Sequence, residues 1–167
     1  PDVEGGDELE RFKPNKKVKE RVIAFARDYE SAEKAAKIRA WELSHEGIYK
    51  VKGISFGSVR SSEYCMLTIE HKIFLPPGHN LVGEVVVGFA KSAEEALDVA
   101  KVRAVQRIRK NPRSRPNLTE TTLPGEIGRS LPMPETEIRQ FLVDRISFRT
   151  YDRQWICYLN FSYMEVQ

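Results

Sequence analysis

The chain has 167 residues, 41% hydrophobic and 31% charged, with a net charge of +3. These are the proportions of an ordinary globular domain with room for one good core. They exclude a membrane-spanning helix, since no apolar run approaches the roughly 18 residues required, and the acidic N-terminus lacks the apolar stretch of a signal or transit peptide.

Residues 1–18 read as a charged arm. Asp2, Glu4, Asp7, Glu8 and Glu10 are followed by Arg11, Lys13, Lys16, Lys17, Lys19 and Arg21, with Gly5-Gly6 and Pro14 between few apolar anchors. Such composition buries too little apolar surface to order itself alone. A strand is expected over about 20–27, with Val22, Ala24 and Ala26 on one side and Ile23 and Phe25 on the other. Asp28 and Ser31 are candidate N-caps for a helix running to about Glu46, stopped at Gly47. Ala32, Ala36 and Ala40 form a stripe of small residues along it, which lets a helix approach a sheet closely. Two strands follow, at about 49–59 and 64–74, joined at Arg60-Ser61-Ser62.

The pattern then recurs. Phe25, Glu30, Ala32, Ala36, Lys37, Arg39 and Ala40 match Phe89, Glu94, Ala96, Ala100, Lys101, Arg103 and Ala104 at an offset of 64. Val51, Ile54-Ser55-Phe56, Cys65 and Leu67 match Val143, Ile146-Ser147-Phe148, Cys157 and Leu159 at an offset of 92. The second helix opens with a capping box, Ser92 and Glu95, and strands at about 142–151 and 154–166 close the chain around an Asp152-Arg153 turn.

The expected fold class is therefore α+β. A β-α-β-β unit is used twice, at residues 19–76 and 77–167, about a pseudo-twofold, giving one antiparallel sheet with both helices on one face. The second unit carries a long Pro-rich insertion, at about 109–136. Insertions of this length are usually functional or disordered, and Leu118, Leu123, Ile127, Leu131 and Met133 are anchors for docking it.

Catalytic chemistry has little to stand on. His45, His71 and His79 lack metal-ligand spacing, and there is no Gly-rich phosphate loop or nucleophile elbow. His71 falls at a core-facing strand position. No metal and no cofactor is implied. Two cysteines do not make a disulfide framework. At matched strand positions, Cys65 and Cys157 read as reduced, buried thiols, which favours a reducing, intracellular (cytoplasmic) compartment.

Charge is the stronger functional signal. Arg107, Arg109, Lys110, Arg113 and Arg115 form a run with no acid, more than capping of a helix C-terminus needs. Lys37 and Arg39 recur as Lys101 and Arg103, a symmetric set of cations suited to a phosphate backbone. Lys16 and Lys17 add to the basic arm, and Tyr64 and Tyr158, on the mixed faces of their strands, are placed to stack on bases. The chain reads as a non-enzymatic nucleic-acid-binding protein, RNA in preference to DNA, within a larger complex or an oligomer. The alternative is a structural or adaptor subunit that holds a protein partner through its N-terminal arm, sheet edge and long loop.

Overall fold

The computed structural model describes residues 14–115 and 140–167. Most of the N-terminal arm and of the Pro-rich insertion lies outside the described residues.

Strand β1 spans Lys16–Ala26, so Lys16 and Lys17 belong to a strand that begins earlier than its apolar pattern suggests. Asp28 then accepts the Ser31 amide at 2.7 Å and starts α1, Tyr29–Leu43, settling the choice between the two cap candidates. The helix stops short of the expected Glu46. Ser44 turns extended, its hydroxyl bonds back to the Ala40 carbonyl at 2.6 Å, and a single 3₁₀ turn follows over His45–Gly47. Gly47 has φ +70° and lies under the Trp41 ring, so a side chain there would be both strained and obstructed.

Strands β2 (Lys50–Val59) and β3 (Ser62–Ile73) form the first hairpin, with Arg60 left-handed in its turn at φ 37°. The order in this sheet is β1-β3-β2, all antiparallel, with a bulge in β2 between Val51 and Gly53. Helix α1 covers it with the alanine stripe: Ala32, Ala36 and Ala40 are buried against Val22, Cys65, Leu67 and Ile69.

The second half begins with β4 (His79–Ala90) and continues into α2 (Ala93–Lys110), capped by Ser92 on the Glu95 amide at 3.2 Å. A two-residue strand, β5 (Ser114–Arg115), precedes β6 (Leu142–Tyr151) and β7 (Gln154–Val166). The β6–β7 turn holds Asp152 and Arg153 at φ 50° and 65°, as a tight hairpin requires. Central β7 pairs with β4 on one side and with β6 and β5 on the other, and β6 bulges between Val143 and Arg145. Helix α2 lies on this sheet through Ala96, Ala100 and Ala104, above Val86, Cys157, Leu159 and Phe161.

The fold is α+β with two helices and antiparallel strands, but the strands divide into two sheets instead of one. The physical reason is the seam. Ile23, Phe25, Tyr64 and Met66, on the face of the first sheet turned away from α1, pack into the second core beside Ile146, Phe148 and Trp155. Phe25 and Phe148 meet edge to face at 6.0 Å, and Tyr64 lies 6.2 Å from Phe148. In one open sheet these rings would face water; folding the sheets together along β1 and β6 removes them from it. A smaller cluster of Val18, Ile73, Leu142 and Met164 closes the other end of the seam. No helix among the described residues is long and apolar enough to cross a membrane.

Candidate nucleic-acid interface

The basic run at the end of α2 is tied to the molecule's own frame. Arg107 forms an ion pair with Glu84 on β4 at 3.2 Å. The C-cap residue Asn111 donates to the Tyr163 hydroxyl at 2.9 Å and to Glu165 at 2.8 Å, and Tyr163 in turn bonds to Glu84. Burial, with the bond to Glu84 behind it, pushes the Tyr163 hydroxyl above its ordinary range. Arg113 donates through Nε to the Val166 carbonyl at 3.0 Å, and Arg115 donates to the Ser114 carbonyl at 2.8 Å. Arg109 and Lys110 are exposed on the last turn. The run is thus a rigid cationic edge beside β5, with part of its hydrogen-bonding capacity spent on carbonyls that end the sheet.

The matched cations occupy different surroundings. Lys37 is an exposed partner of Glu33 at 2.8 Å, which raises its pKa. Lys101 is partly buried, and burial, with the charge of Arg39 behind it, lowers its ammonium to about 8 against the pull of Asp98. Arg103 reaches round the edge of β4 to donate to the Val87 carbonyl at 2.7 Å, its guanidinium 5.9 Å from the Phe89 ring. Arg39 and Lys101 therefore feel each other's charge, while Lys37 is paired with Glu33 and Arg103 with the edge of β4. The structure does not bring the four together as one cationic set.

Register assembles a different basic surface. On the face of the first sheet turned away from α1, Lys17 stands opposite Lys72, and Lys19 and Lys50 stand on either side of Glu70. Lys52, the extra residue of the β2 bulge, reaches the same carboxylate at 3.9 Å, and Lys17 reaches it at 3.7 Å. Five lysines thus surround one partly buried carboxylate, and Arg21 continues the row along β1. A cleft of about 750 Å³ opens at this end, lined by Pro14, Lys17, Ile48, Tyr49, Lys50 and Lys72 among others. Lys16 points to the opposite side, in register with buried Ile73. Lys17 and Lys19 belong to the basic run of the arm, whereas Lys50, Lys52 and Lys72 escape a search for runs because they lie on the two other strands. Within that run the alternation Lys17-x-Lys19-x-Arg21 puts three cations on this face.

The two tyrosines part company. Tyr64 lies across Gly57 and between Phe25 and Phe148, so its ring is engaged in the seam. Tyr158 stands on the open face of the second sheet, between Val87 on β4 and Ser147 on β6.

No family model, curated protein or solved structure matches the chain. The geometry therefore stands alone. His71, the one histidine expected in the core, is buried with its Nε2 2.7 Å from Glu20, at the wall of the cleft that Glu46 and Glu70 also line. Among the described residues no group of three His, Cys, Asp or Glu is placed to hold a metal ion. Cys65 and Cys157 are free thiols buried under different helices, and burial raises Cys157 to about 12, far from a reactive thiolate.

Proposed function

We propose that the chain is a non-enzymatic nucleic-acid-binding protein, RNA in preference to DNA, that grips the phosphate backbone through the lysine face of the β1-β3-β2 sheet. The observation that carries this reading is the set of five lysines around the single carboxylate of Glu70, on strands stiff enough to hold them in fixed rows. A solvated surface of mixed charge needs no such imbalance, and a polyanion gains from it through release of counterions. The cationic edge of Arg107 to Arg115 extends the contact. Action within an intracellular complex fits the two free thiols.

The two halves are, in this reading, copies of one duplicated β-α-β-β unit. What supports it is that β1 and β4 end, and α1 and α2 begin, at an offset of 64, while β2 and β3 begin at an offset of 92 from β6 and β7. The bulges after Val51 and Val143 keep that second offset.

The test is binding of generic single-stranded RNA and duplex DNA as a function of salt, for the native chain and for the variant Lys17→Gln, Lys19→Gln, Lys52→Gln, Lys72→Gln. Each phosphate contact on a single strand contributes about 0.7 to the slope of log K against log salt, so the variant should bind more weakly with a slope shallower by about 3. Unchanged affinity and slope would remove the lysine face from the interface.

A protein-holding adaptor is the second reading, and a specific observation favours it. On the α1 side of the first sheet Tyr29, Ile38, Trp41, Ile48, Val51, Ile54 and Phe56 are each 44% or more exposed, next to the open edge of β2. Exposed apolar groups gathered this way mark partner surfaces. A partner held there would stay bound as salt rises.

A further inference from the structure

We propose that the open face of the second sheet is a site for unpaired bases, which makes the ligand a single strand; this rests on the nucleic-acid reading above. Cross-strand register lays out three rows on the side away from α2: Phe89, Ile156 and Arg149; Val87, Tyr158 and Ser147; Val85, Asn160 and Arg145. Residues of the opposite parity, Val86, Cys157, Leu159 and Ile146, fill the core under α2, so these rows point outward.

Three properties of the face select the ligand. It leaves Phe89 47% and Val85 50% exposed, large apolar groups that water does not favour. It contains no carboxylate in the three rows, while Arg145 and Arg149 stand exposed along β6. Its outer edge is occupied: Arg103 holds the Val87 carbonyl at 2.7 Å with its guanidinium over one side of the Phe89 ring, which disfavours an incoming peptide strand at that point. Rings beside arginines, with the nearest carboxylate, Asp144, one row further on and held by Ser162, suit a chain of aromatic bases joined by phosphates.

The spacing also fits. Phe89 and Tyr158 are diagonal neighbours on adjacent strands, close enough to seat successive bases. Arg145 and Arg149 are four positions apart on one strand, about 13 Å, and follow the backbone beside those bases. A duplex keeps the faces of its bases inside its own stack, so only unpaired nucleotides gain from the rings.

The experiment compares a short oligouridine with an RNA hairpin stem on the native chain, on Phe89→Ala with Tyr158→Ala, on Tyr158→Phe, and on Arg145→Gln with Arg149→Gln. Thermal melting of each variant checks folding. A bromouridine-bearing oligouridine photo-crosslinked to the native chain maps the contact independently of any substitution. Loss of the rings should weaken oligouridine by about tenfold or more and leave the stem unchanged, Tyr158→Phe should retain binding, and crosslinks should fall on Tyr158 or Phe89. Loss of the two arginines should reduce the oligouridine salt slope by about 1.4. Equal losses on strand and stem, or crosslinks confined to the lysine face, would overturn the base site while the lysine reading stands. Binding of neither probe to the native chain would overturn both and leave the face to a protein partner.

Discussion

The carboxylate of Glu20 lies 2.7 Å from His71 Nε2 in the first sheet, and its other oxygen accepts the Val143 amide of the second sheet at 3.3 Å. All three residues are buried, so one side chain joins β1, β3 and β6 across the seam. A buried polar group left without its partner is destabilising in a way that an exposed one is not. Glu20→Ala strands both the imidazole and an edge amide, and should lower unfolding stability by about 3 kcal/mol or more in urea titrations. Glu20→Gln keeps the shape and an acceptor for Val143, and should cost about half as much. An alanine variant as stable as the native chain would show that the seam does not depend on this pair.

Close approach of α2 to its sheet makes a second prediction. A methyl group on Gly88 would overlap the Ala96 carbonyl and the Ala100 backbone nitrogen, whereas one on Gly83 would meet only ordinary contacts at 3.7 Å. Backbone cannot move aside as a flexible side chain can. Gly88→Ala should therefore lower stability by about 2–3 kcal/mol, and Gly83→Ala by less than about 1 kcal/mol. Thermal melts of the two variants compare them directly. Equal melting points would mean that α2 shifts outward at little cost.

Lys101 sets a pH dependence with an unusual sign. Its folded pKa lies at about 8, below the ordinary lysine value of 10.5, because burial and then Arg39 disfavour the charge. Below pH 8 the ammonium is protonated in both states, and the folded chain carries the full penalty of holding it. Between about 8 and 10.5 the unfolded chain binds more protons, so this group makes stability rise with pH across that window. The gain is about 2–3 kcal/mol. Lys101→Met should stabilise the chain near neutral pH and flatten the rise. Denaturation at pH 7 and 10 checks both, and a native curve that falls over this range as steeply as the variant's would refute the assignment.

Much of the local structure was legible along the chain. Asp28 and Ser92 begin helices because a short acceptor precedes a run of good helix formers, a relation that spans three residues. The alanine stripes and the alternation in β7 are equally short-ranged, and the strands of both hairpins lie close to where their alternation places them. Helix α1 ends before Gly47 because Ser44 turns extended and bonds back to the Ala40 carbonyl.

The candidate interface was less legible because it depends on partners far apart in sequence. The run from Arg107 to Arg115 is visible at once, but only the folded chain ties Arg107 to Glu84 and Arg113 to the Val166 carbonyl. Tyr64 and Tyr158 look alike in their strands; the seam takes one ring and leaves the other on an open face. Lys17 and Lys19 stand in a visible basic run, but their grouping with Lys50, Lys52 and Lys72 around Glu70 appears only when register is known. Spacing over a few residues decides whether a segment is helix or strand, since caps, stripes and alternation act through adjacent turns and pleats. Which faces meet, and which charges become neighbours, is decided by burial of apolar surface between segments more than a hundred residues apart, as between Glu20 and Val143.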